Sequence, residues 1–215
     1  MKYFITNWKT NKNIVEAKEW IETFIKKYTN KDNVKVIICP SYPLIYFLKE
    51  KTLHLKNIFI ASQDLSVYEE GSYTGEVTAK NLKGLVDFSI IGHSERRKNF
   101  NDTNEVLFKK TALAKKYNIE PIYCIRDESD PIPDDIKIIA YEPIYAIGTG
   151  INEPADKVIE MKKKLKIDQN KVFIYGGSVN EKNAIDYLKK DGIDGFLVGK
   201  VSLDPEKFAT LINLV

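Results

Sequence analysis

Two side chains that can transfer protons follow buried apolar runs of this sequence. Glu142 follows the run Ile136–Ala140 with only Tyr141 between them, and Pro143 fixes the backbone behind it. His93 follows the run Phe88–Ile91 and a glycine. A carboxylate at the end of an apolar strand is partly desolvated, which suits a general base. Taken alone, Glu142 could also be a capping or surface glutamate, and His93 a hydrogen-bonded core histidine.

The segment after Glu142 has an unusual composition for a loop. Residues Ile144–Gly150 are mostly apolar and end in Gly148-Thr149-Gly150. Such a loop can close over a site and exclude water. The pattern therefore predicts a lid over the carboxylate.

Groups that bind an anion occur after three other apolar runs. Lys9 follows the run Tyr3–Thr6 and can aim an ammonium group at the site, although most of the 33 basic residues must lie on the surface. The turns Tyr175–Ser178 and Val198–Lys200 contain glycines, which let backbone N–H groups approach a phosphate closely. One glycine turn is usually only a turn, but two after consecutive strands favour phosphate binding.

Together these groups indicate one class of reaction. A base, an electrophilic histidine, a lid and a phosphate site suit proton abstraction next to the carbonyl of a phosphorylated substrate. The chain has two histidines and no metal-ligand spacing, so no metal is expected. No GxGxxG follows the first apolar run, so no dinucleotide cofactor is expected.

Repeated strand and helix patterns must position these side chains. Eight apolar runs are continuous rather than alternating, which is typical of strands covered on both faces: Tyr3–Thr6, Val34–Ile38, Ile58–Ala61, Phe88–Ile91, Pro121–Cys124, Ile136–Ala140, Val172–Ile174 and Gly195–Val198. Amphipathic helical patterns lie between most of them, at Ile14–Tyr28, Asn104–Tyr117, Asn152–Leu165, Asn180–Leu188 and Asp204–Leu214. The alternation predicts an α/β fold, a single (β/α)8 barrel over residues 1–215, with its chemistry on the loops after the strands.

The helical patterns also predict which side chains face the barrel. For Ile14–Tyr28 they are Val15, Trp20, Ile21, Phe24 and Ile25. For Asn104–Tyr117 they are Val106, Leu107, Ala112 and Leu113. The arginines Arg96 and Arg97 are expected to form an ion-pair cluster.

One crossover is too short for a full helix. About eleven residues, two of them prolines, separate Cys124 from Ile136, whereas a parallel crossover usually needs about a dozen or more. We therefore expect the fifth outer helix to be reduced or absent. Its absence should expose apolar barrel wall, which often marks an interface.

Composition excludes several classes of protein. The chain has 215 residues, 43% hydrophobic and 29% charged, with a net charge of +3. Acidic and basic residues are interspersed, so no nucleic-acid partner is expected. There is no signal-peptide pattern and no apolar run of about 20 residues, so we expect no membrane association and a cytoplasmic location. Cys39 and Cys124 each end an apolar run and are predicted to be buried thiols.

Six motifs, in order along nearly the whole chain, resemble the triosephosphate isomerase family. They are NWK at 7–9, GSYTGE at 71–76, IGHSERR at 91–97, YEPIYAIGTG at 141–150, YGGSV at 175–179 and GFLVGKVSL at 195–203. The resemblance implies interconversion of dihydroxyacetone phosphate and D-glyceraldehyde 3-phosphate through an enediolate, in glycolysis and gluconeogenesis, without a cofactor.

The resemblance also assigns roles. Glu142 would be the base, His93 a neutral imidazole that polarises the carbonyl, and Lys9 the balancing cation. Substrate binding would fall to Asn7 and to backbone amides at Gly148, Ser178, Gly199 and Lys200. Ser94 and Glu95 would support the catalytic groups, and Tyr175 and Ser178 would latch the closed lid.

The family resemblance further implies a homodimer in which Thr74 reaches into the partner. The shortened fifth crossover makes a homotetramer the further alternative. Three departures stand out: Tyr145 replaces the usual tryptophan of the first lid hinge, Ile151–Glu153 replaces the usual second hinge, and Lys200 stands where glycine is common.

Two other functions stay open from the residues. One is a different phosphate-binding barrel enzyme, such as an aldolase or an epimerase. The other is a divergent barrel that binds phosphate without catalysis. The first needs a Schiff-base lysine or a metal-ligand set that the sequence does not display, and the second predicts loss of Lys9, His93 or Glu142.

Overall fold

The computed structural model describes residues 1–146 and 148–215. Its eight strands form a closed parallel barrel in chain order, each hydrogen-bonded to the next and β8 to β1. They are β1 Lys2–Thr6, β2 Val34–Ile38, β3 Ile58–Ser62, β4 Phe88–Ile91, β5 Glu120–Ile125, β6 Ile138–Tyr141, β7 Val172–Tyr175 and β8 Gly195–Val198. The predicted (β/α)8 barrel is confirmed.

Helices cover the barrel at most crossovers. They are α1 Ile14–Lys27, α2 Ile45–Thr52, α3 Ala79–Leu82, α4 Ser94–Asn99, α5 Asn104–Lys116, α6 Ala155–Lys164, α7 Ala184–Leu188 and α8 Pro205–Ile212. Capping residues in the local sequence determine where several of these helices begin. Asn13 and Glu16 form a reciprocal capping box at α1, and Asp204 caps α8 ahead of Pro205.

Closure of the barrel depends on a glycine at its seam. Gly195 begins β8 with φ 143°, and a Cβ atom there would lie 1.8 Å from the carbonyl oxygen of Tyr3 in β1. No side chain fits at that distance. Gly195 therefore allows β8 to approach β1 closely enough to complete the sheet.

Two apolar clusters hold the layers together. One lines the barrel interior and includes Ile5, Ile37, Ile90, Ile122 and Leu197, all buried. The larger one packs the outer faces of the strands against the helices. Cys39 and Cys124 are both free and buried in the interior cluster, as predicted.

Two helix-face predictions are wrong. Val15 is 61% exposed because it lies in the first turn of α1 beside the Asn13 cap, ahead of the first buried residue, Ala17. Ala112 is also exposed, whereas α5 buries Leu107, as predicted, together with Lys110, Thr111 and Ala114. Lys110 is buried here because its Nζ bonds the carboxylates of Asp64 and Asp102, contacts that helical periodicity does not reveal.

The crossover from β5 to β6 has no helix, as predicted, but it does not expose the barrel wall. Tyr123, Ile125 and Ile139 are each no more than 1% exposed. The segment packs directly on the strands, where the Tyr123 hydroxyl donates to the carbonyl of Pro131 at 3.1 Å. The predicted exposed surface is therefore wrong, and the homotetramer prediction that depended on it stays without structural support.

Buried ion pairs anchor this crossover. Asp130 accepts from the backbone N–H of Arg126 at 2.8 Å and pairs with its guanidinium at 2.6 Å. Asp130 also lies 3.5 Å from the guanidinium of Arg97. Although burial opposes the charged form, these arginine contacts hold the pKa of Asp130 below its usual value. Charge pairing thus replaces the packing that a helix would supply.

Within the described residues, no helix is long and apolar enough to cross a membrane.

Candidate active site

Most of the predicted site residues line one cavity at the carboxyl ends of the strands. The cavity has a volume of about 410 Å³. Eight predicted residues face it: Asn7, Lys9, His93, Glu142, Gly148, Ser178, Gly199 and Lys200. Ser94, Glu95 and Tyr175 lie outside the lining. Ser94 and Glu95 contact the lining residues Glu142 and Lys9, whereas Tyr175 contacts Glu153, which is not part of it.

Glu142 is the most deeply buried of the titratable residues that line the cavity. It follows β6 directly and is 1% exposed. Its Oε2 accepts the backbone N–H of Ser94 at 3.2 Å, and its Oε1 lies 3.4 Å from Nε2 of His93. The carboxylate therefore sits at the cavity wall beside the imidazole and away from bulk water.

Cys124 is a contact of Glu142 that sequence reasoning missed. Its Sγ donates to Glu142 Oε1 at 3.5 Å. Burial, together with the neighbouring carboxylate, raises the pKa of the Cys124 thiol well above its usual value. The thiol therefore keeps its proton and serves as a weak donor. Its position at the end of a buried run next to β6 was the available signal.

His93 has a defined tautomer in this arrangement. It caps the amino terminus of α4, and its Nδ1 accepts the backbone N–H of Glu95 at 3.2 Å. Because Nδ1 accepts a hydrogen bond, the proton of a neutral imidazole is assigned to Nε2. The Nε2–H group faces Glu142 and the cavity, where it can donate to an oxygen of a bound molecule.

Lys9 has an unfavourable backbone conformation that its neighbours maintain. Its φ is 52°, in the left-handed region that non-glycine residues seldom adopt. Its N–H donates to Asn7 Oδ1 at 3.1 Å, and its carbonyl accepts from Gln63 Nε2 at 2.9 Å. Strain of this kind persists where surrounding contacts determine the conformation, and it is common at functional sites.

The ammonium group of Lys9 is paired across the cavity mouth. Its Nζ lies 2.5 Å from Oε1 of Glu95, which is on α4. The two ends of Lys9 are thus held by different loops: Gln63 follows β3 and Glu95 follows β4. The contact of Gln63 with Lys9 was not predicted from the sequence.

The loops after β7 and β8 supply the predicted anion-binding groups. Ser178 follows β7, and Gly199 precedes a 3-10 turn at Lys200–Leu203. Gly148, from the loop after β6, faces the same space with φ 67°. Lys9 and Lys200 add positive charge beside these backbone groups. The residues predicted to bind phosphate therefore line one cavity together with two lysines.

Ser178 and Tyr175 contact the segment that the sequence predicted to be a lid. Ser178 Oγ donates to the carbonyl of Ala146 at 2.7 Å and accepts the N–H of Gly150 at 3.2 Å. The hydroxyl of Tyr175 accepts the N–H of Glu153 at 2.7 Å. Ile147, within the predicted lid, lies outside the described residues. Ser178 thus contacts the predicted lid at Ala146 and Gly150, and Tyr175 contacts the segment that follows it.

Tyrosines contact the segment Ile151–Glu153, which differs from the usual second hinge of the family. Tyr187 donates to the carbonyl of Glu153 and accepts from Asn152 Nδ2 at 2.8 Å. Its ring stacks on that of Tyr175, with centroids 4.8 Å apart. Burial and the Glu153 carboxylate raise the pKa of Tyr141, which precedes the catalytic candidate. The changed hinge residues are therefore part of a specific set of contacts.

Comparison with known proteins agrees with this geometry. A family model described as triosephosphate isomerase matches residues 2–135 and 131–215. The two segments meet inside the crossover that lacks its helix. Curated proteins named triosephosphate isomerase are similar over almost the full chain. That of Mesomycoplasma hyopneumoniae (strain 232) is 35% identical over 240 residues, covering 98% of both chains.

Two further relatives show the same pattern. The protein of Trichodesmium erythraeum (strain IMS101) is 34% identical over 232 residues, covering 96% of each chain. That of Aquifex aeolicus (strain VF5) is 31% identical over 238 residues, again covering 96% of each. Both bear the same name, triosephosphate isomerase.

Proposed function

Because this chain belongs to the triosephosphate isomerase family, we propose that it interconverts dihydroxyacetone phosphate and D-glyceraldehyde 3-phosphate. The observation that carries the proposal is the juxtaposition of Glu142 and His93. Their side chains lie 3.4 Å apart on the wall of a cavity that Lys9 and the glycine loops also line. A base and a hydrogen-bond donor therefore face the same small substrate.

The proton moves between adjacent carbons through Glu142. In the conformation described, its Oε2 accepts from Ser94. The carboxylate must leave that donor to reach a substrate carbon, abstract a proton from it and return the proton to the neighbouring carbon. Burial favours this chemistry because water is kept away from the carboxylate while the proton is transferred.

His93 and Lys9 would stabilise the negative charge that develops on the substrate oxygens. The Nε2–H of His93 would donate to the carbonyl oxygen as the enediolate forms, and the Lys9 ammonium would offset the charge. Asn7 positions Lys9 through its side-chain oxygen. The phosphate would be bound by the backbone at Gly148, Ser178, Gly199 and Lys200, which anchors the reacting carbons beside Glu142.

Closure of the loop after Glu142 protects the intermediate. An enediolate phosphate that stays exposed can expel its phosphate, so water must be excluded during proton transfer. Contacts of Ser178 and Tyr175 with Gly150 and Glu153 support a latching role for both residues. No cofactor or metal is needed for these steps.

A homodimer is the assembly that the loop after β3 supports. Thr74 lies at its exposed tip, next to Tyr73, which is 44% exposed. Tyr73 stacks on Tyr68 with centroids 4.0 Å apart, and Glu69 is paired with Lys116 at 2.7 Å. These contacts preorganise the loop for docking into a second copy of the chain. The expected location for this glycolytic activity is the cytoplasm.

A coupled assay tests the function directly. Purified protein, with no added cofactor, should convert D-glyceraldehyde 3-phosphate to dihydroxyacetone phosphate, and the reverse reaction should proceed as well. Activity should disappear to the assay limit in a Glu142→Gln variant that still folds and binds inorganic phosphate. Phosphate binding without isomerisation by the parent protein would instead support a non-catalytic phosphate-binding barrel.

A further inference from the structure

Four charged side chains form a nearly closed cluster beside the active site. Lys110 of α5 is 3% exposed, and its Nζ lies 2.8 and 2.7 Å from the two carboxylate oxygens of Asp64. The same Nζ is 2.8 Å from Oδ2 of Asp102. Nε of Arg96 completes the set at 2.9 Å from Asp64 and 3.2 Å from Asp102. Two carboxylates are thus balanced by two cations.

The cluster adjoins two of the three residues that hold Lys9, namely Gln63 and Glu95. Asp64 is the chain neighbour of Gln63, which donates to the Lys9 carbonyl at 2.9 Å. Arg96 is the neighbour of Glu95, which pairs with the Lys9 ammonium group at 2.5 Å. The ion pair between Asp64 and Arg96 therefore connects the loop after β3 to α4. The relative position of these two elements sets the conformation of Lys9.

We propose that Lys110 is a positioning residue that maintains the strained, substrate-facing conformation of Lys9 through Asp64 and Arg96. The inference rests on the proposed function, because it takes Lys9 as a substrate-binding cation. Lys110 itself is on the outer helix α5 and is absent from the lining of the active-site cavity. Its effect must therefore pass through the two loops.

Lys110 is better suited to this role than its partner cation. Arg96 is partly exposed and lies against the ring of Phe100, with its Cζ 4.4 Å from the centroid. Among the described residues, Lys110 has no aromatic contact of this kind. Its three hydrogen bonds all go to the carboxylates of Asp64 and Asp102. Without it, Asp64 and Asp102 would share one guanidinium, leaving excess negative charge in a buried place. The two carboxylates would then move apart to reduce their repulsion. Because Gln63 is the chain neighbour of Asp64, it would move as well.

The left-handed φ of Lys9 makes its geometry sensitive to this movement. A non-glycine residue at φ 52° returns to a more favourable conformation when the contacts that maintain it weaken. The ammonium group would then move relative to the phosphate loops. We expect weaker binding of phosphate and of the phosphorylated substrate, with KM raised more than kcat is lowered.

The experiment compares Lys110→Met with Lys162→Met in the full chain. Lys162 is a matched control because it is also largely buried and hydrogen-bonded, to the carbonyl of Gly192 at 2.9 Å, at a place that does not contact Lys9. Lys110→Met should raise KM and the dissociation constant for inorganic phosphate by about tenfold. Lys162→Met should lose comparable stability in urea and keep both constants within about twofold.

A double-mutant cycle separates positioning from general destabilisation. In a Lys9→Ala background, Lys110→Met should have no further effect on phosphate binding or kcat/KM, because the residue through which it acts is gone. Additive losses in the two backgrounds would overturn the inference. An unchanged KM in Lys110→Met would also overturn it.

Two outcomes are covered by further measurements. If Lys110→Met does not fold, Lys110→Arg keeps the charge while changing the bond geometry, and its smaller loss should likewise vanish in the Lys9→Ala background. If the parent binds inorganic phosphate but does not isomerise triose phosphates, the proposed function is wrong. The phosphate-binding cycle then still decides whether Lys110 positions Lys9.

Discussion

A Cβ atom at Gly176 would lie 2.7 Å from Cγ of Glu142. Gly176 follows β7 and has no left-handed φ, so its requirement for glycine is steric. The glycine makes room for the side chain of the proposed base. The loop after one strand thus determines where the carboxylate of the neighbouring strand can lie.

We therefore predict that Gly176→Ala displaces the Glu142 carboxylate by several tenths of an ångström or more. The expected result is a fall in kcat/KM of about tenfold to a hundredfold, because proton abstraction depends steeply on the position of the base. Thermal unfolding should be nearly unchanged. Steady-state kinetics measures the first effect and calorimetry the second. Parental kcat/KM in a folded Gly176→Ala protein would contradict this account.

Shortening the base itself gives a second prediction. Glu142→Asp withdraws the carboxylate by about 1 Å or more and should lower kcat by about a hundredfold, with a smaller change in KM. The coupled isomerase assay measures both constants. Glu160→Asp is the matched control, since Glu160 pairs with Lys157 on the exposed face of α6. Equal rates for Glu142→Asp and the parent would show that another group is the base.

The latch contacts predict a defect in lid closure rather than in folding. Ser178→Ala removes the bonds to Ala146 and Gly150. We expect kcat to fall by about tenfold and the fraction of turnovers that release free phosphate to rise, because the intermediate is less well shielded. Phosphate release is measured beside isomerisation. Thr210→Ala removes a comparable hydroxyl bond on α8 and should change neither quantity.

The strands and most site residues could be predicted from the sequence for a simple reason. Each strand is a continuous apolar run, and in a parallel barrel all its carboxyl ends meet on one face. A polar residue directly after a run, such as Glu142 or His93, is therefore placed at that face by the chain itself. The family motifs strengthened these assignments without changing their positions.

The features that the sequence did not predict depend on contacts between distant segments. The burial of Lys110 was not predicted, because a lysine is seldom buried without partners. Its partners, Asp64 and Asp102, lie 46 and 8 residues away, and no local pattern joins them. Gln63 was missed as a contact of Lys9 for the same reason.

The shortened crossover shows a different limit. The count of residues correctly excluded a helix between β5 and β6, but it could not show how the remaining segment covers the barrel. Asp130 holds the segment against the barrel by pairing with Arg126 and Arg97. Charge complementarity inside a short irregular segment has no periodicity, so apolar patterning does not reveal it.

Asp130 leads to a prediction about pH. Its pKa is below its usual value in the folded protein, so its charged form is stabilised relative to the unfolded chain. This contribution is present above the unfolded pKa of about 3.9 and is lost as the pH falls through the lower folded value. Asp130→Asn should lower the free energy of unfolding by about 1–3 kcal/mol at pH 7.

Urea unfolding at several pH values tests this sign. The difference between the parent and Asp130→Asn should be constant from pH 7 to about pH 5 and should shrink below about pH 4. Asp156→Asn is the control, because Asp156 pairs with Lys190 on the surface at 2.6 Å with its side chain 76% exposed. A difference that grows as the pH falls would contradict the role assigned to Asp130.

The exposed loop after β3 leads to a prediction about the oligomeric state of the protein. If Thr74 docks into a second copy of the chain, Thr74→Arg introduces a bulky charge into that contact and should shift the protein from dimer to monomer at micromolar concentration. Light scattering measures the mass. Activity should fall with the loss of the dimer, because the docked loop would no longer support Asn7, Lys9 and His93 of its partner.

Thr210→Arg adds the same charge to the exposed face of α8 and should leave both mass and activity unchanged. A parent protein that is monomeric at micromolar concentration would refute the proposed homodimer. A monomeric Thr74→Arg variant with full activity would instead show that Lys9 and its neighbours are held entirely by their own chain. In that case the contacts of Gln63 and Glu95 within the same chain would be sufficient to position Lys9.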